Sequence, residues 1–211
     1  MNNKKIILVG ARLDGHAGVV LDAISKIGGY QVVGVIDNSF SLQGGMVAGI
    51  PVIASTENLD VVDIPADCVH VSVGDNASRG VLFSILASRG IPVETIVHPN
   101  ACVSNQATIE AGCFIGAGAI INNGVRIGSA TIINTGAVVE HDSVLGHAVH
   151  MAPGSTTAGR VTIDNYVFVG AGAIVLPDIN IGSGAMIGAG STVTKDVPNS
   201  ITVTGYAARP Y

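Results

Sequence analysis

The chain has 211 residues, of which 48% are hydrophobic and 12% charged, with a formal net charge of −5. That length suits one long domain or two short ones with a sizeable apolar core, and the absence of any basic cluster argues against nucleic acid or an anionic membrane surface as partner. No apolar run approaches the ~20 residues of a membrane span, and the first residues lack a signal-peptide core, so a cytoplasmic protein is expected.

Residues 6–9 form a short β-branched run that ends in Gly10. After it come Ala11, Arg12, Leu13, Asp14, Gly15 and His16, then a helical pattern through Val20, Ala23, Ile24 and Ile27 that Gly28 and Gly29 stop. Residues 32–36 predict a second strand, which runs into Asp37 and Asn38. Strand, glycine turn, helix, strand and acidic residue is the logic of a nucleotide-binding βαβ unit, with backbone amides and a helix start available to phosphate. The glycine spacing does not match G-x-G-x-x-G, which argues against a dinucleotide. Further on, residues 51–54 read as a short strand and 56–59 as a short helix. Residues 68–73 predict a third strand ending in Gly74, Asp75 and Asn76, followed by a helix over 77–89 and a last strand over 93–97 before His98 and Pro99. In a parallel sheet, Gly15, Asp37 and Gly74 all open on one edge, where ligands usually bind.

From Val103 the pattern changes to a strict period of six. Sixteen hexads run without insertion to Val193, and their first residues are all bulky hydrophobes except Thr157. The next position is often glycine, as at Gly116, Gly128, Gly146, Gly170, Gly182 and Gly188. A fixed short period predicts a parallel β-helix in which each hexad is one wall and three walls close a coil. Corners need small residues, which accounts for much of the glycine.

One hexad breaks this apolar and small-residue composition: Glu140, His141 and Asp142 follow Val139, soon after Asn134, Thr135 and Gly136. Packing a wall does not call for such a triplet. An imidazole with a carboxylate neighbour is the usual arrangement for a general base, because the carboxylate fixes the tautomer and supports the charged form. His147 lies one wall further round and reads as a surface residue, whereas His70 reads as part of a core strand. The histidines show no metal-ligand spacing, so no metal is expected, and Ser143 and Ser155 lack a nucleophile elbow. Cys68, Cys102 and Cys113 are odd in number and unpatterned, so they read as thiols packed like small hydrophobes.

On these residues, together with Gly10, Gly15-His16, Asp37-Asn38, Gly74-Asp75-Asn76 with Arg79, and His98-Pro99, the whole chain resembles one branch of the hexapeptide-repeat acyltransferases. That branch is the sugar acetyltransferases of the PglD, PerB, VioB and NeuD type. The resemblance implies an α/β Rossmann-like domain over residues 1–99 that holds a sugar nucleotide, and an all-β left-handed parallel β-helix over 100–211 with a C-terminal tail. It implies acetyl-CoA as cosubstrate, a homotrimer with active sites between neighbouring prisms, and a nucleotide-linked amino sugar as acceptor. By the same match His141 is the base and Asp142 its orienting acid, and His150 lies near the thioester carbonyl. Asn134, Gly159, Ala171 and Ala189 fall on cofactor positions; Gly10, Gly15, His16, Asp37, Asn38, Gly74 and Asn76 fall on substrate positions. The implied reaction is N-acetylation of a nucleotide-linked 4-amino-4,6-dideoxy sugar by direct transfer, for surface glycan or lipopolysaccharide synthesis. Two alternatives stand beside it: O-acetylation of a sialic-acid-type sugar, and a non-catalytic scaffold that binds a sugar nucleotide. The sequence departs from the family pattern twice. Arg12, Leu13 and Asp14 lengthen the glycine turn, and Ala207 replaces the usual proline of the tail.

Overall fold

The computed structural model describes residues 3–10, 15–38 and 44–205, so the lengthened turn at Arg12–Asp14 and the tail from Tyr206 lie outside the described residues. The chain divides into two compact units, Met1–Pro99 and Asn100–Tyr211.

In the first unit, β1 (Lys4–Val9), α1 (His16–Ile27), β2 (Tyr30–Ile36), β3 (Met46–Val47), β4 (Ile50–Ala54), β5 (Cys68–Val71) and α2 (Asn76–Ser88) follow in order. The sheet order is β3-β4-β2-β1-β5. β1 pairs in parallel with both β2 and β5, and β2 in parallel with β4. As an interior strand paired in parallel on both sides, β1 is covered on both faces, and Ile6 through Val9 are all fully buried. Residues Val20, Ala23 and Ile24 turn the apolar stripe of α1 inward. α2 starts at a side-chain cap in which Asp75 Oδ1 accepts from the Ser78 amide at 2.8 Å.

Two elements differ from the sequence expectation. β5 stops at Val71; the Ser72 amide still donates to the Val9 carbonyl at 2.8 Å, while its Oγ donates to the Gly10 carbonyl at 2.5 Å. Residues 93–97 do not form one strand: Val93 makes an isolated bridge to Val69, and a separate two-residue strand lies at Ile96–Val97. The break centres on Glu94, whose carbonyl accepts from His70 Nδ1 at 2.8 Å. The Glu94 carboxylate takes Lys4 Nζ at 2.6 Å and the Tyr30 hydroxyl at 2.7 Å. Glu94 keeps a backbone bond to β5, its amide donating to the Val69 carbonyl at 2.7 Å. The antiparallel β3–β4 hairpin has no clear signal in the sequence either.

The second unit is a parallel β-helix. Two-residue strands recur every six residues from Cys102–Val103 to Thr192–Val193, and those up to Ile174–Val175 each pair with the strand eighteen residues on. The first wall contains Ile120–Ile121, Val138–Val139, Thr156–Thr157 and Ile174–Val175. The second contains Arg126–Ile127, Val144–Leu145 and Thr162–Ile163; the third contains Ile132–Ile133, His150–Met151 and Phe168–Val169. The hexad residue points inward in every coil, and Ile115, Ile133, Val139, Val169 and Val175 are fully buried. Thr157 is equally buried, and its Oγ1 accepts from the Glu140 amide at 3.3 Å.

Glycine plays two separate roles. The corner lies three residues before the inward one and takes a left-handed backbone there, for example at Gly112 (φ 74°) and Gly136 (φ 64°). Non-glycine residues hold the same corner slot at Ala130 (φ 55°), Ala148 (φ 53°), Asp142 (φ 60°), Arg160 (φ 60°) and Asp178 (φ 63°). The glycines after the bulky position are not corner residues. At Gly128 a Cβ would stand 2.6 Å from the Gly146 carbonyl carbon, and at Gly170 2.5 Å from the Ala189 nitrogen. Close approach of consecutive coils, not backbone conformation, requires them.

Candidate active site

In the first unit, the C-terminal ends of β1, β2 and β5 open on the same sheet edge. The Gly10 amide donates to the Ile36 carbonyl at 2.8 Å, and a Cβ on Gly10 would meet Val73 Cγ2 at 2.6 Å. The turns after β1 and β5 therefore touch through a position only glycine can fill. His16 opens α1, and a Cβ on Gly74 would come within 3.8 Å of the His16 Cβ. Asp37 directly follows β2 and is buried, with its amide donating to the Ala54 carbonyl at 3.0 Å. Gly15 precedes α1 and makes no side-chain cap bond to its first turn. Gly10, His16, Asp37 and Gly74 thus share one edge, with Asn38 exposed beside Asp37.

Arg79 has a role that the sequence motif does not reveal. Its side chain is fully buried, and Nη1 donates to the carbonyls of Val73 at 3.1 Å and Gly74 at 2.9 Å. Nη2 donates to Asn76 Oδ1 at 2.8 Å. One guanidinium fixes the whole turn after β5 and aims the Asn76 amide group. The available signal was an arginine within the apolar pattern of α2.

In the second unit, His141 and Asp142 lie at the corner after the first wall. His141 Nδ1 donates to Asp142 Oδ2 at 2.9 Å, with both side chains about half exposed. This bond leaves Nε2 as the free lone pair of the neutral ring. Glu140 takes no part in orienting the ring, because its Oε2 accepts from the His141 backbone amide at 3.2 Å. One coil further, Gly159 lies against the imidazole, and a Cβ there would stand 2.5 Å from Nε2. Glycine at 159 keeps the basic nitrogen accessible.

The third wall carries another group. Asn134 Oδ1 accepts from the Thr135 amide at 2.7 Å, which orients the side chain so that Nδ2 donates to His150 Nε2 at 3.2 Å. The neutral His150 ring then carries its proton on Nδ1. The ring is buried and stands edge-on to Phe168, with centroids 5.2 Å apart. Ala171 and Ala189 are exposed at the corner after this wall and stack one coil apart, where the Gly190 amide donates to the Ala171 carbonyl at 2.8 Å. A single chain therefore does not bring all these residues together. His141, Asp142 and Gly159 occupy one corner; Asn134, His150, Ala171 and Ala189 belong to the third wall and the corner beyond it.

His147 lies at the corner between the second and third walls. It pairs with Ser129 Oγ through Nδ1 at 2.9 Å and lines an open depression of about 430 Å³ with Thr108, Glu110 and Arg126. Among the described residues, no group of three or more His, Cys, Asp or Glu side chains could hold a metal ion.

Residues 5–86 match the PglD N-terminal domain. Residues 106–141 match the hexapeptide repeat of succinyl-transferase, and 160–195 the six-repeat bacterial transferase hexapeptide. Among solved structures, the chain is similar to PerB from Caulobacter crescentus in complex with CoA and GDP-perosamine. The two share 34% identity over 95% of this chain and 94% of that one, with a TM-score of 0.87. The acetyltransferase domain of PglB from Neisseria gonorrhoeae, in complex with acetyl coenzyme A, shares 32% identity over 100% of both chains at a TM-score of 0.89. WeeI from Acinetobacter baumannii shares 26% identity over 97% of this chain and 98% of that one, at 0.83. No curated protein sequence matches the chain.

Proposed function

The chain belongs to the hexapeptide-repeat sugar acetyltransferases of the PglD and PerB type, and from that premise we propose that it transfers the acetyl group of acetyl-CoA to the amino group of a nucleotide-linked 4-amino-4,6-dideoxy sugar. The product serves surface-glycan synthesis, and the reaction takes place in the cytoplasm. The observation that carries this reading is the His141–Asp142 pair, with Nδ1 committed to the carboxylate and Nε2 opened by Gly159. PerB, solved with CoA and GDP-perosamine, supports both the cosubstrate and the class of acceptor.

An amine that attacks a thioester becomes positively charged and must lose a proton before the amide forms. His141 Nε2 takes that proton, and Asp142 stabilises the resulting imidazolium through Nδ1–H. Asn134 and His150, joined through Nδ2 and Nε2, stand on the side of the thioester carbonyl. Gly10, His16, Asp37, Gly74 and Asn76 hold the nucleotide part of the acceptor, with the start of α1 facing phosphate. Holding both substrates in line supplies most of the acceleration, and the base adds ~10²–10⁴-fold.

A homotrimer completes the site. The two groups of cofactor and catalytic residues occupy different corners of one prism, and the first wall between them exposes Ile120, Ile174 and Leu176. A second copy packed on that apolar wall brings one corner of each chain together. The direct test incubates the purified protein with acetyl-CoA and GDP-, UDP- and dTDP-linked 4-amino-4,6-dideoxy sugars. Mass spectrometry is expected to find one acetyl group on the amine of one of them, with release of the CoA thiol. Acetylation of free sialic acid and of none of the three would overturn the assignment.

A further inference from the structure

Three successive coils place Asp142, Arg160 and Asp178 at the same corner, all with left-handed backbones (φ 60°, 60° and 63°). Backbone bonds stack them: the Arg160 amide donates to the His141 carbonyl at 2.9 Å and the Asp178 amide to the Gly159 carbonyl at 3.2 Å. Coils stack at about 4.8 Å, so Arg160 has one carboxylate on each side at matching distance. It uses only one of them. Nε donates to Asp178 Oδ1 at 2.6 Å and Nη2 to Asp178 Oδ2 at 2.8 Å, while Asp142 keeps His141.

We propose that Asp178 is a positioning residue that holds the Arg160 guanidinium away from Asp142, so that the Asp142 carboxylate stays with His141. A guanidinium is a rigid fork that binds a carboxylate with two charge-assisted bonds, and it outcompetes a neutral imidazole N–H for the same acceptor. Without Asp178, the remaining partner one coil from Arg160 in this column is Asp142. Arg160 already senses that charge: the Asp178 hydrogen bonds and charge raise its guanidinium pKa above the ordinary value, with a smaller contribution from Asp142. The Arg160–Asp178 pair is solvent-exposed and adds little to stability. What it changes is where the arginine sits. The consequence for turnover rests on His141 acting as the base, whereas the consequence for the ring's tautomer does not.

The test compares Asp178→Asn, Arg160→Gln and the double variant in the full chain. It reads the His141 ring nitrogens by ¹⁵N NMR, assigned by their loss in His141→Asn, together with kcat. Asp178→Asn is expected to lose the single Nδ1–H tautomer and to lower kcat by roughly tenfold. Arg160→Gln alone leaves both unchanged, and adding it to Asp178→Asn restores both. An unchanged tautomer in Asp178→Asn, or a double variant as impaired as the single one, overturns the proposal. A tautomer that shifts and is restored while kcat never moves upholds the positioning role and removes His141 as base.

Discussion

The carboxylate of Asp142 lies where a side chain at position 124 would begin: a Cβ on Gly124 would stand 2.5 Å from Asp142 Oδ1. The dyad is bracketed by two absent side chains, Gly124 one coil before it and Gly159 one coil after. Backbone strain alone does not exclude alanine at 124, since Ala130 and Ala148 hold the same corner slot with φ of 55° and 53°. Gly136 supplies the control, because nothing lies within 4 Å of its added Cβ. Both Gly→Ala changes are expected to cost ~1–2 kcal/mol for the left-handed backbone. Only Gly124→Ala is expected to displace Asp142 and reduce kcat, by roughly tenfold. Steady-state kinetics and thermal melts on the pair check this; equal kcat in both variants would contradict it. The dyad's residue types were legible in the sequence, because charged groups interrupt an apolar repeat. The tautomer, the separate role of Glu140 and the space left at 159 depend on how coils stack, which no single hexad carries.

Among elements, the β-helix was the most legible, since a strict period of six has one physical solution and each inward residue repeats it. The role of its glycines was less so. A glycine in sequence does not reveal whether it serves a left-handed corner or the approach of the next coil. The distinction gives a test at Gly170, where an added Cβ would sit 2.5 Å from the Ala189 nitrogen and 2.6 Å from the Ile187 oxygen, both backbone atoms that cannot step aside. Gly170→Ala is expected to cost ~1–3 kcal/mol in urea unfolding, as overpacking does. Ala148→Gly, at a corner, is expected to change stability by less than ~1 kcal/mol. In the first unit the βαβ order could be read from hydrophobic runs and glycine stops. Residues 93–97 misled because they are apolar enough for a strand, while Glu94 draws the chain into side-chain bonds with Lys4 and Tyr30.

For the whole molecule, His70 links folding to pH. It is fully buried in β5, and desolvation pushes its pKa down from 6.5 to about 4, against the opposing hydrogen bond to the Glu94 carbonyl. The folded pKa is depressed, so the neutral ring's contribution is fully present above pH 6.5. It is lost as pH falls toward 4, because the unfolded chain takes up the proton first. That loss amounts to about 3 kcal/mol. Glu94 and Asp75, whose carboxyl pKa values are also lowered, add to the acid sensitivity only below about pH 4.5, the ordinary carboxylate range. Urea titrations between pH 7 and 4.5 are expected to show falling stability in the native chain and a flatter profile in His70→Leu. Parallel profiles would contradict the assignment. The acceptor's identity was the least legible feature at this scale, because no short motif carries it; in the proposed function it depends on the arrangement around Asp37 and Gly74.

The proposed acetyl transfer turns on His141 Nε2 as the acceptor of the amine's proton, and single-turnover kinetics of His141→Asn tests that role most directly. Asparagine keeps a polar side chain beside Asp142 but has no ring nitrogen to take the proton. The expected result is an acetyl-transfer rate lowered by about two to four orders of magnitude, with acetyl-CoA and sugar-nucleotide affinities and the melting temperature close to those of the native chain. Near-native transfer by His141→Asn on the amino-sugar nucleotide that the native chain acetylates would contradict it.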